Sequence, residues 1–169
     1  MRAGSIEIAP HRYRESYGRY FEEFVVGDVY EHRPGRTITE TDNIWVTLLT
    51  MNTHPLHFDA EYCKKTEFGR PLINSPLTVA IMVGMSVSDV SQKAVANLGW
   101  KEIRLPAPLF AGDTLYAESE VIELRESKSR ADAGVVTVKT TGRNQHGTIV
   151  CDFLRTILVW KRGHGPGDD

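Results

Sequence analysis

"NSPLTVAIMVGMSVSDVSQKAV", residues 74–95, is the stretch that decides the fold. Ser75 is a suitable N-cap and Pro76 suits the first helical position, so a helix is predicted to begin here. The body of the stretch is apolar nearly all round, with small residues interspersed. A helix that is apolar on every side is buried. The sequence therefore predicts one long central helix around which the rest of the chain packs.

The sequence after this helix changes to the alternating pattern of β-strands. Four runs separated by turn residues read as strands: "WKEIRLPAPL", "DTLYAESEVIEL", "GVVTVKTTGRN" and "TIVCDFLRTILVW". In the second run, Leu115, Ala117, Ser119 and Val121 alternate with polar or aromatic positions. A curved antiparallel sheet wrapped around the single helix is the natural packing, so the predicted class is α+β.

Two segments precede this core. "VYEHRPGRTIT", residues 29–39, reads as extended, and "TETDNIWVTLLTMN", residues 39–52, reads as a helix. Thr39 can cap that helix because Asp42 follows three residues later. Its apolar residues share one face: Ile44, Trp45, Leu48 and Leu49. A short amphipathic helix is predicted in "DAEYCKKTEF".

The chain has 169 residues, enough for one domain with a real core. No internal repeat or low-complexity linker divides it, so residues 20–162 are predicted to form a single domain. Residues 1–19 are polar and without periodicity, and are expected to form an arm over the surface. Residues 163–169 are rich in glycine and proline and are expected to be a flexible tail.

Charge and apolar content limit the classes of partner. The formal net charge is −2, so there is no electrostatic reason to bind nucleic acid or an anionic membrane. The longest apolar run, residues 77–87, is much shorter than the roughly 20 residues of a bilayer span, and no targeting segment is predicted. Cys63 and Cys151 match no metal or redox spacing and suit a reducing compartment, so a cytoplasmic protein is expected.

Two histidines stand three residues apart in "LTMNTHPLHFDAEY", residues 49–62. Such donors can bind zinc, but Pro55 breaks the helical spacing and no second ligand cluster is evident, so no metal site is predicted. One alternative is a polar turn in which His54 caps the preceding helix and His57 packs. The other is acid–base chemistry, because histidine titrates near neutral pH. Asp59 suits the N-cap of the short helix that follows.

The start of the central helix is a candidate site for a developing negative charge. Backbone N–H groups have no intrahelical partner there, and the helix dipole favours an anion. An acyl oxygen directed at "NSPLTV" would be polarised as it is in an oxyanion hole. The alternative is a helix that is simply well capped. A base beside such an amide is the combination that favours chemistry.

Three blocks of the chain resemble, in order, the MaoC-like dehydratases, the (R)-specific enoyl-CoA hydratase branch of the hotdog superfamily. They are "YFEEFVVGDVYEHRPGRTITETDN", "NTHPLHFDAEYCKKTEFGRPLINSPLTVAIMVG" and "APLFAGDTLYAESEVIEL". The resemblance covers roughly residues 20–160. It implies a single α+β hotdog domain, in which a curved antiparallel sheet wraps around a long central helix.

The hydratase motif of this family runs Gly-Asp-x-Asn-Pro-Leu-His, and its aspartate and histidine handle the water and the proton. Pro55, Leu56 and His57 match it directly. Asn52 stands where the family has the aspartate, and His54 where it has the asparagine. The resulting pattern, Asn-x-His-x-x-His-x-Asp, resembles a variant in fumaryl- and mesaconyl-CoA hydratases and in mitochondrial hydroxyacyl-thioester dehydratases.

The resemblance also implies which residues bind the thioester. The family's His-Gly at the helix start is replaced by Asn74 and Ser75, and Ser75 keeps the backbone N–H that an oxyanion hole requires. Pro55 is grouped with these two residues on the substrate side. Arg104 is a candidate for contact with a phosphate of coenzyme A or with a substrate carboxylate.

The implied activity is the addition of water across the 2,3 double bond of an enoyl-CoA. His57 would activate the water, Asn52 would position the water or the substrate, and His54 would orient His57 or assist the proton delivered to C2. A short branched or dicarboxylic acyl group is expected, such as mesaconyl or itaconyl. No cofactor is expected, because coenzyme A is part of the substrate. A homodimer or an assembly of dimers is implied, because the family builds its site between two protomers.

Two other functions fit the same residues. Hotdog acyl-CoA thioesterases share the helix and the oxyanion geometry, but they direct water with a carboxylate, and position 52 lacks one. A module that binds acyl-CoA without turnover is the second alternative, and Asn52 at the aspartate position supports it.

Overall fold

Seven strands and three α-helices make up the computed structural model, which describes residues 4–166. The strands are β1 (Gly4–Ala9), β2 (Arg12–Ser16), β3 (Val29–Thr37), β4 (Ala94–Arg104), β5 (Thr114–Glu126), β6 (Ala133–Arg143) and β7 (Ile149–Trp160). The helices are α1 (Glu40–Leu49), α2 (Ala60–Cys63) and α3 (Ser75–Met85), with 3-10 turns at Phe21–Glu23 and Pro55–His57 and a π-helical turn at Val87–Ser91. Within residues 4–166, no helix is long and apolar enough to cross a membrane.

The main sheet has five antiparallel strands in the order β3-β5-β6-β7-β4. Helix α3 packs on one face of it, where Leu77 and Met82 join Leu115 and Phe153 in the core. The alternation predicted in β5 is confirmed, because all four of its expected inward residues are buried: Leu115, Ala117, Ser119 and Val121. The predicted curved antiparallel sheet with one central helix is therefore confirmed.

The boundaries of the central helix differ from the prediction. Its N-cap is Asn74 rather than Ser75, so Ser75 is the first helical residue and Pro76 the second. The helix ends at Met85, well before residue 95, and β4 begins at Ala94. Ala94 pairs with Val159 of β7, and this long-range pairing overrides the local helical pattern.

The surroundings of α3 also differ from the prediction. The sequence indicates a helix buried on every side, whereas Pro76, Ala80 and Gly84 are exposed. These residues are four apart and form one stripe along the helix. The sheet covers only the opposite side, where Leu77 and Met82 lie.

The C-terminal end of α3 contacts a buried cation. Arg155 of β7 is 2% exposed, and its Nη1 donates to Ser86 Oγ at 3.0 Å, while its Nε donates to Asn97 Oδ1 at 2.7 Å. Burial lowers the pKa of this guanidinium. It forms no ion pair with any residue in 4–166. Ser86 is the C-cap of α3, so the helix dipole supplies favourable partial charge in place of a carboxylate.

Helix α1 has the predicted cap, but the face that it buries is not the predicted apolar one. Thr39 and Asp42 form the capping box that the sequence predicts. However, the apolar face points outward, with Trp45 and Leu48 each 66% exposed and Leu49 78% exposed. The buried residues of α1 are the polar Asn43 and Thr47.

The N-terminal arm forms a hairpin, and the start of the C-terminal tail forms turns. Residues 4–16 of the predicted arm form the antiparallel hairpin β1–β2, in which Ile6 and Ile8 are exposed. Within the predicted tail, residues 163–166 form turns. The parts of the arm and tail at residues 1–3 and 167–169 lie outside the described residues.

Candidate active site

The histidine stretch forms a tight turn directly after α1. Met51 adopts a positive φ of 54°, and Asn52 Oδ1 then accepts a hydrogen bond from the His54 N–H at 3.0 Å. His54 Nδ1 accepts from the Leu56 N–H at 3.1 Å and so caps the 3-10 turn at Pro55–His57. The prediction that His54 caps the preceding helix is therefore wrong, because its ring caps the 3-10 turn that follows.

The hydrogen bond at His57 defines which ring nitrogen is free. Its Nδ1 lies 2.9 Å from the carbonyl oxygen of Leu72. A carbonyl oxygen only accepts, so Nδ1 carries the proton and Nε2 of the neutral ring carries a lone pair. Nε2 has no hydrogen-bond partner among residues 4–166. His57 thus presents an unoccupied basic nitrogen.

His54 has the opposite tautomer. Its Nδ1 accepts a backbone N–H, so the proton of the neutral ring is on Nε2. The centroids of the two imidazole rings are 6.0 Å apart. The turn therefore presents one acceptor nitrogen on His57 and one donor nitrogen on His54, close to each other.

The Asn52 side chain offers a free hydrogen-bond donor. Its Oδ1 is occupied by the His54 N–H, and its Nδ2 has no partner among the described residues. An amide cannot act as a general base, but an Nδ2–H group can hold the oxygen of a water molecule.

The start of α3 presents an unpaired backbone donor. Ser75 is the first helical residue, and its N–H has no partner among residues 4–166. Next to it, Asn74 is 1% exposed and donates its own backbone N–H to Asn43 Oδ1 at 2.8 Å. The Asn74 Oδ1 atom is buried, and the described part of the chain offers it no hydrogen-bond partner. The helix terminus thus combines a free N–H with a favourable dipole for an anion.

A cavity of about 270 Å³ lies at this terminus. Leu72, Ser75 and Thr78 line it together with the segment that follows β4, from Leu105 to Leu109. No charged side chain contributes to its lining. Its apolar wall suits the acyl part of a ligand. A larger cavity of about 600 Å³ lies between the N-terminal hairpin and the end of β7, and no candidate site residue lines it.

Ser75 lines this cavity, whereas the other predicted site residues do not: Asn52, His54, Pro55, His57, Asn74 and Arg104. Pro55 opens the 3-10 turn that carries His57. Arg104 is the last residue of β4 and precedes Leu105, which lines the cavity. Its side chain is exposed, and its Nη2 lies 3.1 Å from Glu102 Oε2. Asp59 caps α2 by accepting from the Tyr62 N–H at 2.9 Å, as predicted. Among the described residues, no three His, Cys, Asp or Glu side chains converge as a metal site requires.

Asn43 is not among the site residues predicted from the sequence, yet it bonds to the backbone of His57 and of Asn74, the residue before Ser75. A signal was present, because Asn43 and Thr47 are polar and four residues apart on α1. The role of the Leu72 carbonyl has no signal in the sequence, because every residue carries one.

A second polar cluster has the order of a Ser-His-Asp triad. His32 Nδ1 lies 2.9 Å from Asp89 Oδ2, and His32 Nε2 lies 2.8 Å from Ser119 Oγ. His32 and Ser119 are both 0% exposed, so no substrate reaches them. The cluster joins β3 and β5 to the π-helical turn after α3. Burial lowers the pKa of His32, although Asp89 opposes this effect.

The chain is similar in sequence to known proteins. The chain is 36% identical over 145 residues to the mesaconyl-CoA hydratase of Cereibacter sphaeroides, and 37% identical over 145 residues to the beta-methylmalyl-CoA dehydratase of Chloroflexus aurantiacus. Each alignment covers 86% of this chain but only 42% and 41% of those proteins. The chain thus spans about two fifths of the length of these relatives.

Two solved structures support the fold. A MaoC domain protein of Chloroflexus aurantiacus, described as a dehydratase, has a TM-score of 0.82 and 35% identity, and the match covers 89% of this chain and 43% of that one. A double-hotdog protein of Mycobacterium tuberculosis has a TM-score of 0.79 and 27% identity, with 86% of this chain and 45% of that one covered.

The fold and the matching family define a hotdog protein of the MaoC-like class. The resemblance inferred from the sequence is therefore confirmed. The profile of one family within this class matches residues 8–168. The chain belongs to the mesaconyl-CoA hydratase family.

We expect His32 to make stability depend on pH. Its pKa is lowered in the folded protein, so below about pH 6.5 the unfolded chain binds more protons, and the free energy of unfolding falls as pH falls. Urea unfolding at neutral pH and at about pH 5.5 measures this loss. The His32→Gln variant, which cannot titrate, should show a smaller loss over the same interval. If the free energy of unfolding fell equally in the parent protein and in His32→Gln, the pH dependence would not come from His32.

Proposed function

We propose that this chain is an acyl-CoA hydratase/dehydratase, which adds water across the 2,3 double bond of an enoyl-CoA to give a 3-hydroxyacyl-CoA. The observation that carries the proposal is that His57, whose Nε2 is free, is hydrogen-bonded through Nδ1 to the Leu72 carbonyl, three residues before Ser75, whose N–H is unpaired within the described residues. A base for water and a donor for the thioester oxygen are the two groups that this addition requires.

The order of events follows from these groups. The thioester oxygen accepts from the Ser75 N–H, and negative charge that develops on it is stabilised by the start of α3. Asn52 Nδ2 and His54 Nε2 donate to the incoming water, whose proton passes to His57 Nε2 as its oxygen bonds to C3. The proton then moves from His57 to C2. A neutral His54 that released its only N–H proton would become an anion, so His57 is the better donor.

The proposed substrate is a short branched dicarboxylic enoyl-CoA such as mesaconyl-CoA. The printed names of the relatives, a mesaconyl-CoA hydratase and a beta-methylmalyl-CoA dehydratase, support this class. Arg104 is the proposed contact for a phosphate or carboxylate, because it precedes the cavity-lining Leu105. A cytoplasmic location is proposed as well, and the free thiols of Cys63 and Cys151 support it.

A homodimer is the proposed assembly. Among residues 4–166, strand β4 pairs with β7 alone and its other edge is open, and Leu98, Trp100 and Ile103 are exposed along the strand. An open edge of this length is a template for pairing with another strand. The double-hotdog neighbour supports the arrangement, because this chain covers 45% of it. Two copies of this chain would together provide the two hotdog units that the neighbour holds in one chain.

We expect the purified protein to hydrate mesaconyl-CoA, and His57→Ala to lower the rate by about 10²- to 10⁴-fold, because the base is lost. Loss of the conjugated enoyl absorbance and release of free thiol are followed together. Crotonyl-CoA and itaconyl-CoA serve as comparison substrates. Thiol release without hydration would identify a thioesterase instead, and binding without either product would identify a non-catalytic module.

The Ser75 amide is tested by a matched pair of variants. Ser75→Pro removes the N–H at a position where proline suits a helix, and Asn74, with ψ of 125°, is compatible with a following proline. We expect kcat to fall by about 10²- to 10³-fold. Ser75→Ala keeps the N–H and should stay within about threefold of the parent. Equal losses in both variants would show that the hydroxyl, and not the amide, matters.

The dimer is tested by placing charge on the open edge. We expect sedimentation velocity to give about twice the 19.0 kDa of one chain, and the double variant Leu98→Glu/Trp100→Glu to sediment as a monomer. Ile122→Glu, at an exposed position of β5 away from the edge, is the control and should remain dimeric. A monomeric parent protein would overturn the proposal.

A further inference from the structure

Asn43 holds three backbone groups of the site through one side chain. It lies on α1 and is 2% exposed. Its Nδ2 donates to the carbonyl oxygens of His57 at 2.9 Å and Leu72 at 3.1 Å. Its Oδ1 accepts from the Asn74 N–H at 2.8 Å. All three partners are backbone groups, and they come from the histidine turn, from the segment before α3 and from the N-cap of α3.

The first two bonds concern the base. The Leu72 carbonyl oxygen that accepts from Asn43 also accepts from His57 Nδ1 at 2.9 Å. Asn43 therefore holds both the backbone of His57 and the carbonyl that orients its ring. If that carbonyl moved, the ring would lose the bond that keeps the proton on Nδ1 and the lone pair on Nε2.

The third bond concerns the thioester donor. Asn74 is the residue directly before Ser75, and its backbone N–H points at Asn43 Oδ1. The Asn74 N–H and the Ser75 N–H belong to successive planar peptide units, so once the first is held, only φ and ψ of Asn74 determine where the second points. One amide group is thus linked within one residue to the proposed base and to the proposed oxyanion donor.

We infer that Asn43 is a positioning residue, which sets the orientation of His57 Nε2 relative to the Ser75 N–H. The inference rests on the proposed hydratase function and goes beyond it, because Asn43 touches neither the substrate nor the reacting atoms. It acts through the peptide groups at His57, Leu72 and Asn74.

The chemistry of the side chain explains why asparagine suits this position. Its amide uses both N–H groups and its oxygen, so no polar atom of the side chain is left unpaired. Aspartate has the same size, but it would direct a carboxylate at two carbonyl oxygens. Leucine has a similar volume, but it would remove the bonds that Asn43 makes to the His57 carbonyl and the Asn74 N–H, and the Leu72 carbonyl would keep only its bond from His57 Nδ1.

Steady-state hydration of mesaconyl-CoA tests the inference with Asn43→Leu and Asn43→Asp. We expect kcat to fall by about 10- to 100-fold with KM within about threefold, because misplacement of the base affects the reaction more than binding. Val46→Ala is the matched control, since Val46 lies on the same helix and packs against the core. It should lower the thermal midpoint and leave kcat within about twofold. An equal loss of kcat in Val46→Ala, or full kcat in both Asn43 variants, would overturn the inference.

Nitrogen NMR of isotope-labelled protein supplies a readout that does not require activity. In the parent protein, His57 should show a protonated Nδ1 and an unprotonated Nε2, and in Asn43→Leu a mixture of both tautomers. An unchanged ring in the variant would overturn the inference. If the parent protein hydrates no enoyl-CoA but the tautomer still changes in the variant, the proposed reaction is wrong and the positioning role of Asn43 stands.

Discussion

The close approach of α3 to the sheet at Gly142 is the contact on which the rest of the molecule depends. A methyl group added there would lie 2.6 Å from Met82 Sδ and 2.8 Å from its Cε, and Met82 is fully buried. The end of the Met82 side chain therefore occupies the space that a side chain at position 142 would need. This contact brings Leu77 and Leu115 into one core and directs the start of α3 to the wall of the cavity.

The two ends of α3 have complementary environments. At its start, the Ser75 N–H is unpaired and faces a cavity without charged lining residues. At its end, Ser86 contacts the buried guanidinium of Arg155. Positive charge at the C-terminal end is stabilised by the same dipole that favours a negative charge at the N-terminal end. The dipole of one helix thus stabilises a buried guanidinium that has no ion-pair partner within residues 4–166, and it would favour the negative charge proposed to develop at the cavity.

Features that depend on neighbouring residues could be predicted from the sequence, and those that depend on distant ones could not. The alternation in β5 and the Thr39–Asp42 cap follow from local spacing, and the structure has both. The end of α3 follows instead from the pairing of β4 with β7. The inverted face of α1 follows from Asn43, whose partners are backbone groups 14, 29 and 31 residues further along the chain. Residue type and spacing identified His57 as a candidate, but the tautomer of its ring depends on the Leu72 carbonyl, 15 residues away.

The hydrogen bond between His57 and Leu72 has a consequence for the stereochemistry of the proposed reaction. It leaves His57 a single basic nitrogen, Nε2, on one side of the ring. If this one atom removes a proton from water and delivers it to C2, the hydroxyl group and the hydrogen reach the double bond from the same direction. The addition is then suprafacial, and the configurations at C2 and C3 of the product are both set by which face of the enoyl group lies against one imidazole edge.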